Sequence, residues 1–110
     1  MTAPSSFTLA DLVERVKERA KAGPDVSYTR KLLDKGVAQC AKKFGEEAVE
    51  VVLAAVGEDK DRVVSEMADL LYHLVVVMEA REVTLNEIEA ELQKRTAQSG
   101  LQEKASRPRE

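Results

Sequence analysis

"LLYHLVVVM", residues 70–78, is the stretch on which the fold turns. Its apolar run, with three valines in a row, would pass for a buried strand. The run lies inside a longer helical pattern over residues 60–81, and that length decides for a helix. Asp59 is the expected N-cap. Upstream, "GEDKD" makes a turn, and a second long helix is expected over 37–56, closed by Gly57. Two helices joined by so short a turn are expected to pack antiparallel.

The rest of the chain follows the same period. Residues 8–22 place Leu9, Leu12, Val13, Val16 and Ala20 at helical spacing. Thr8 and Asp11 suit a loose capping box, and Gly23-Pro24 ends the segment. "SYTRKLLDKG" reads as a short helical turn capped by Ser27 or Thr29 and punctuated by Gly36. A last helix is expected over 84–97, with Thr84 and Glu87 as a capping box. No strand pattern and no repeat of solenoid length is present. The fold class expected is therefore all-α, an antiparallel bundle of about four to five helices. Residues 1–97 are expected to form its single domain, and the polar residues 98–110 a tail mobile without substrate.

Composition narrows the possibilities. The chain has 110 residues and a formal net charge of −3, which gives no basic footprint for nucleic acid. Aromatic residues are only 4%, so the core must be built from Leu, Val, Ala and Met. At this length the core is modest, and association with a second copy would enlarge it. One cysteine, Cys40, makes neither an intramolecular disulfide nor a zinc set, and reads as a small core residue. No signal-peptide pattern and no membrane-length apolar run is seen, so a cytoplasmic location without membrane contact is expected.

Against this background the acidic residues stand out. On a helix Glu47 shares a face with Cys40, Phe44, Val51 and Ala54, with Glu50 about 60° round from it at 100° per residue. Glu66 shares a face with Leu70 and Val77, Asp69 is its i+3 neighbour, and His73 stands one turn beyond. Two pairs, Glu47-x-x-Glu50 and Glu66-x-x-Asp69, are thus expected to face each other. No intrahelical cation is ideally placed to neutralise either. Like charges so disposed repel, and a divalent cation removes the conflict. Oxygen-only ligands select Mg²⁺, Mn²⁺ or Ca²⁺ over zinc, and Mg²⁺ commonly shares its coordination with substrate phosphates. A solvated acidic face is the alternative.

Other residues carry paired readings. His73 is a base or ligand, or a hydrogen-bonded core residue. Arg30, Lys31, Lys35, Lys42 and Lys43 meet phosphates, or form a solvated basic face. Gly45, mid-helix, marks a close approach of a helix or ligand, or a tolerated kink. Tyr28 lies at a site mouth, or staples its loop to the core. No G-x-x-x-x-G-K-S/T loop is present, so phosphates must be held by metal and basic side chains.

"SYTRKLL" at 27–33, "AKKFGEEAVEVVLAA" at 41–55, "SEMADLLYHLVVVM" at 65–78 and "SGLQEKASR" at 99–107 together resemble the phosphoribosyl-ATP pyrophosphatase family, within the MazG-type all-α nucleotide pyrophosphohydrolases. The resemblance implies hydrolysis of phosphoribosyl-ATP to phosphoribosyl-AMP and pyrophosphate, the second step of histidine biosynthesis. It implies Mg²⁺, with Mn²⁺ as a substitute, and a homodimer that completes the bundle, with helices of both chains around each site. Carried onto this chain, Glu47, Glu50, Glu66 and Asp69 are metal ligands, and Glu46 orients or deprotonates the water. Lys31, Lys42 and Lys43 are phosphate contacts, and Lys104, Ser106 and Arg107 close over bound substrate. A separate cyclohydrolase is expected for the next step. Two alternatives stand beside this: a house-cleaning hydrolase of free triphosphates such as dUTP or dCTP, and a non-catalytic helical dimerisation module.

Overall fold

The computed structural model describes residues 6–97 and residue 105. Five helices are present among them: α1 (Leu9–Ala20), α2 (Tyr28–Asp34), α3 (Val37–Gly57), α4 (Lys60–Arg81) and α5 (Leu85–Thr96). There is no strand among the described residues, so the fold is all-α.

Local chemistry sets the boundaries. Thr8 caps α1 in a reciprocal box with Asp11 (3.1 and 3.0 Å), and Thr84 and Glu87 repeat the device at α5. The Asp59 carboxylate accepts from the Arg62 N–H at 2.9 Å, opening α4. α1 stops at Ala20 rather than 22, because Lys21 and Ala22 turn tightly, with bonds to the Glu18 and Arg19 carbonyls ahead of Gly23-Pro24. Gly36 sits at φ 96° between α2 and α3, a left-handed conformation that favours glycine. Gly57 is the last residue of α3 rather than the residue beyond it. Glu82, in the left-handed region at φ 57°, ends α4, and the Val83 N–H reaches back to the Met78 carbonyl at 2.9 Å.

The cap of α2 is Ser27, not Thr29. The Ser27 hydroxyl accepts from the Arg30 N–H at 3.0 Å and donates to the Arg19 carbonyl at 2.8 Å. One buried side chain thus starts α2 and fixes it to the end of α1. Ser27→Ala removes the cap and leaves the Arg19 carbonyl without its donor, and is expected to cost about 2 kcal/mol. Urea unfolding at matched protein concentration measures this, and a loss below ~0.5 kcal/mol would show that water replaces both bonds.

α3 and α4, joined only by Glu58 and Asp59, make the most extensive helix–helix contact. Glu47 lies near Asp69, and Lys43 near His73, so numbering falls on one helix as it rises on the other. The pair is an antiparallel hairpin. Val16 of α1, Leu32 of α2, Cys40 of α3 and Val75, Val76 and Met78 of α4 close the core. The expected core of Leu, Val, Ala and Met is present, and the Cys40 thiol donates to the Leu32 carbonyl at 3.2 Å inside it. No residue of α5 is buried, though Leu85 and Ile88 pack on the core edge.

The hairpin also leaves apolar residues uncovered near its closed end. Val49, Val52, Leu53 and Val56 form a stripe on α3, and Val64, Met67 and Leu71 another on α4, all exposed.

Candidate functional site

The long hairpin carries acids on its facing sides because residues two turns away on the same faces are buried. On α3, Glu47 lies two turns from Cys40 and Ala54, both buried. On α4, Glu66 precedes the buried run that starts at His73. One carboxylate oxygen from each of Glu47, Glu66 and Asp69 lies within 4.8 Å of the others. A Mg²⁺ ion with oxygen bonds of about 2.1 Å places opposite ligands ~4.2 Å apart, so small side-chain adjustments bring these three around one ion. The donors are all hard oxygens, which fits a divalent cation of the Mg²⁺, Mn²⁺ or Ca²⁺ type.

Glu50 is half-buried one turn along α3, outside this cluster, and has no hydrogen bond or ion pair among the described residues. Glu46 is exposed, 3.9 Å from the Lys43 ammonium.

Both helices do carry cations beside the cluster, contrary to the sequence expectation. Lys43 Nζ lies 3.5 Å from Glu47, and the Arg62 guanidinium 2.7 Å from Glu66. In each case the base is four residues N-terminal of the acid. That is the less favourable order for a helical pair, yet both long side chains reach. The Glu66 side chain is only 8% exposed, so its ion pair with Arg62 satisfies a carboxylate that would otherwise be costly to desolvate. The hydrogen bond to Glu47 holds the Lys43 ammonium above the ordinary lysine range, so it stays charged.

His73 is buried beside Glu47 and Asp69, edge-on to the Tyr72 ring at 5.0 Å. Burial pushes its basicity down, with the Glu47 charge partly opposing.

The basic residues divide. Lys42 and Lys43, with Tyr28, Lys35, Gln39 and Glu46, line a cavity of about 270 Å³ next to the carboxylates. Lys31 is exposed on α2 and does not line it. Arg30 is committed to the fold: it pairs with Asp34 at 2.8 Å and donates to the Ala20 carbonyl at 2.8 Å. Lys104, Ser106 and Arg107 lie outside the described residues. A Cβ on Gly45 would meet nothing within 4 Å, so no other part of the described chain requires the glycine by close approach. Sequence reasoning passed over Arg62. The i, i+4 spacing to Glu66 was the signal that could have found it.

A helical hairpin holding a cluster of hard oxygen donors next to a lysine-lined cavity defines a class: all-α proteins equipped for a divalent cation and an anionic ligand. A family model described as phosphoribosyl-ATP pyrophosphohydrolase matches residues 9–96, and the chain belongs to that family. It is 60% identical over 101 residues to a protein of Bradyrhizobium diazoefficiens named phosphoribosyl-ATP pyrophosphatase 1, covering 92% of this chain and 95% of the relative. A phosphoribosyl-ATP pyrophosphatase of Azorhizobium caulinodans is 62% identical over 102 residues, covering 93% and 94%. One of Rhodopseudomonas palustris, again named phosphoribosyl-ATP pyrophosphatase 1, is 57% identical over 104 residues, covering 94% and 97%.

Proposed function

We propose that this chain hydrolyses phosphoribosyl-ATP to phosphoribosyl-AMP and pyrophosphate, the second step of histidine biosynthesis, using Mg²⁺. The observation that carries this reading is the meeting of Glu47, Glu66 and Asp69 across α3 and α4 in a chain of this family. These three would hold the ion, and Glu50 stands within one helical turn to join them. When bound, a divalent ion supplies Lewis-acid charge at the phosphoanhydride, where the leaving pyrophosphate gains negative charge.

The protein's own residues have separate tasks. Water adds to the α-phosphorus, the bond from the α-phosphorus to the bridging oxygen breaks, and pyrophosphate leaves. Glu46 is exposed at the cavity edge and is our candidate to orient that water or accept its proton. Lys42 and Lys43 face the same cavity and would hold phosphate oxygens. Lys31 is a more distant candidate, and Lys104, Ser106 and Arg107 would close from the tail. No covalent nucleophile is required. We also propose a homodimer, built on the uncovered apolar stripes of α3 and α4.

Pyrophosphate release from phosphoribosyl-ATP, with and without Mg²⁺ and beside dUTP, dCTP and ATP, tests the reading. Release is expected from phosphoribosyl-ATP alone, falling at least ~100-fold when Mg²⁺ is chelated. Release only from free triphosphates would move the protein to the house-cleaning class. No release from any substrate would leave a non-catalytic helical module.

A further inference from the structure

Tyr28 stands between two cavities. One is the lysine-lined cavity beside the carboxylates. The other, about 490 Å³, lies on the far side of Tyr28 and is lined by Arg19, Val26, Ser27, Thr29 and Tyr72 as well. Its volume falls in the range of small-molecule clefts, about 300–1,000 Å³. We propose that this second cavity receives the 5-phosphoribosyl end of the substrate, with the Arg19 guanidinium holding its phosphate monoester. Arg19 is then the residue that separates phosphoribosyl-ATP from free nucleoside triphosphates. The inference rests on the function proposed above and goes beyond it in placing the other end of the substrate.

The chemistry of the substrate asks for such a site. Phosphoribosyl-ATP is anionic at both ends: a triphosphate at one, a phosphate monoester on a second ribose at the other. The carboxylate cluster, its cation and Lys42 and Lys43 serve only the first. The second phosphate needs a cation of its own, and a free triphosphate has nothing to offer it.

Arg19 meets that need. Its guanidinium has no ion pair or hydrogen bond among the described residues. Arg30 is held by Asp34 and the Ala20 carbonyl, and Arg62 by Glu66. The backbone of Arg19, by contrast, is fixed, because its carbonyl accepts the buried Ser27 hydroxyl at 2.8 Å. A free fork on an anchored backbone suits bidentate capture of a phosphate. The remaining walls suit a ribose and a base. The Thr29 and Tyr72 hydroxyls share a hydrogen bond of 2.6 Å, and Tyr28 and Val26 offer exposed apolar surface.

The test compares wild type with Arg19→Gln and Arg19→Lys. Removing one charge-assisted phosphate contact is expected to raise KM for phosphoribosyl-ATP about 30-fold with kcat nearly unchanged. The inhibition constant of ATP should stay within about twofold, and Arg19→Lys should recover part of the KM loss. Ribose 5-phosphate, titrated without metal and followed by amide NMR, should shift Ser27, Tyr28 and Thr29 in wild type and not in Arg19→Gln. The side chain is exposed and the Ser27 bond uses the backbone, so melting temperatures should match. An unchanged KM, or equal weakening of ATP and phosphoribosyl-ATP, overturns the proposal, as does absence of the ribose 5-phosphate shifts. A wild type that does not turn over phosphoribosyl-ATP at all would instead overturn the functional reading.

Discussion

Asp69→Asn should lower turnover of phosphoribosyl-ATP by about 10²–10³-fold while leaving the protein folded. Asp69 is the best of the three clustered acids to test. Glu47 and Glu66 each bind a cation of their own helix, so changing them also frees Lys43 or Arg62. Asp69 is exposed and carries no ion pair among the described residues, and asparagine keeps its shape. The variant removes one of three mutually repelling carboxylates. In metal-free buffer its melting temperature should therefore equal or slightly exceed that of wild type. Added Mg²⁺ should raise the wild-type melting temperature by mass action and leave that of Asp69→Asn nearly still. This second readout does not depend on turnover. If the variant hydrolyses substrate at near-normal rates, or is stabilised by Mg²⁺ as wild type is, Asp69 does not hold the ion.

The ends of the helices were legible because they are written in local chemistry. Thr8, Asp59 and Thr84 each cap with a bond to the third residue on, a contact that spacing alone predicts. Ser27 and Thr29 could not be told apart that way, since both residue types cap helices. Thr29 is instead buried against Tyr72, 43 residues away, and no local rule reaches so far.

The acids show the same division. Periodicity placed all four on facing sides of two helices. It treated Glu47–Glu50 and Glu66–Asp69 as equivalent pairs. The structure takes Glu47, Glu66 and Asp69 into the cluster and leaves Glu50 beside it, a difference that spacing along one helix does not encode. Nothing in the spacing of residues 8–22 singles out Arg19. Its cavity exists only once α1 and α2 are brought together through Ser27.

Val52→Asp should convert a dimer to monomers. Seven exposed apolar side chains cluster toward the closed end of the hairpin: Val49, Val52, Leu53 and Val56 of α3, and Val64, Met67 and Leu71 of α4. Burying a half-exposed side chain of this size yields roughly 1 kcal/mol, about half the full transfer value. Over two copies the gross gain is near the top of the ~4–15 kcal/mol that association costs, so a stable dimer needs the whole patch well packed. An unpaired carboxylate at its centre costs about 3–5 kcal/mol per copy, enough to raise the dissociation constant at least ~1,000-fold. Light scattering on a sizing column would show this directly at micromolar protein. Leu92→Asp is the matched control, an exposed leucine on α5 outside the stripes, and should leave the mass unchanged. A monomeric wild type, or a Val52→Asp protein that still runs as a dimer, would show that these stripes are not the interface. The carboxylate cluster would keep its geometry in that case, because all three of its residues belong to one hairpin.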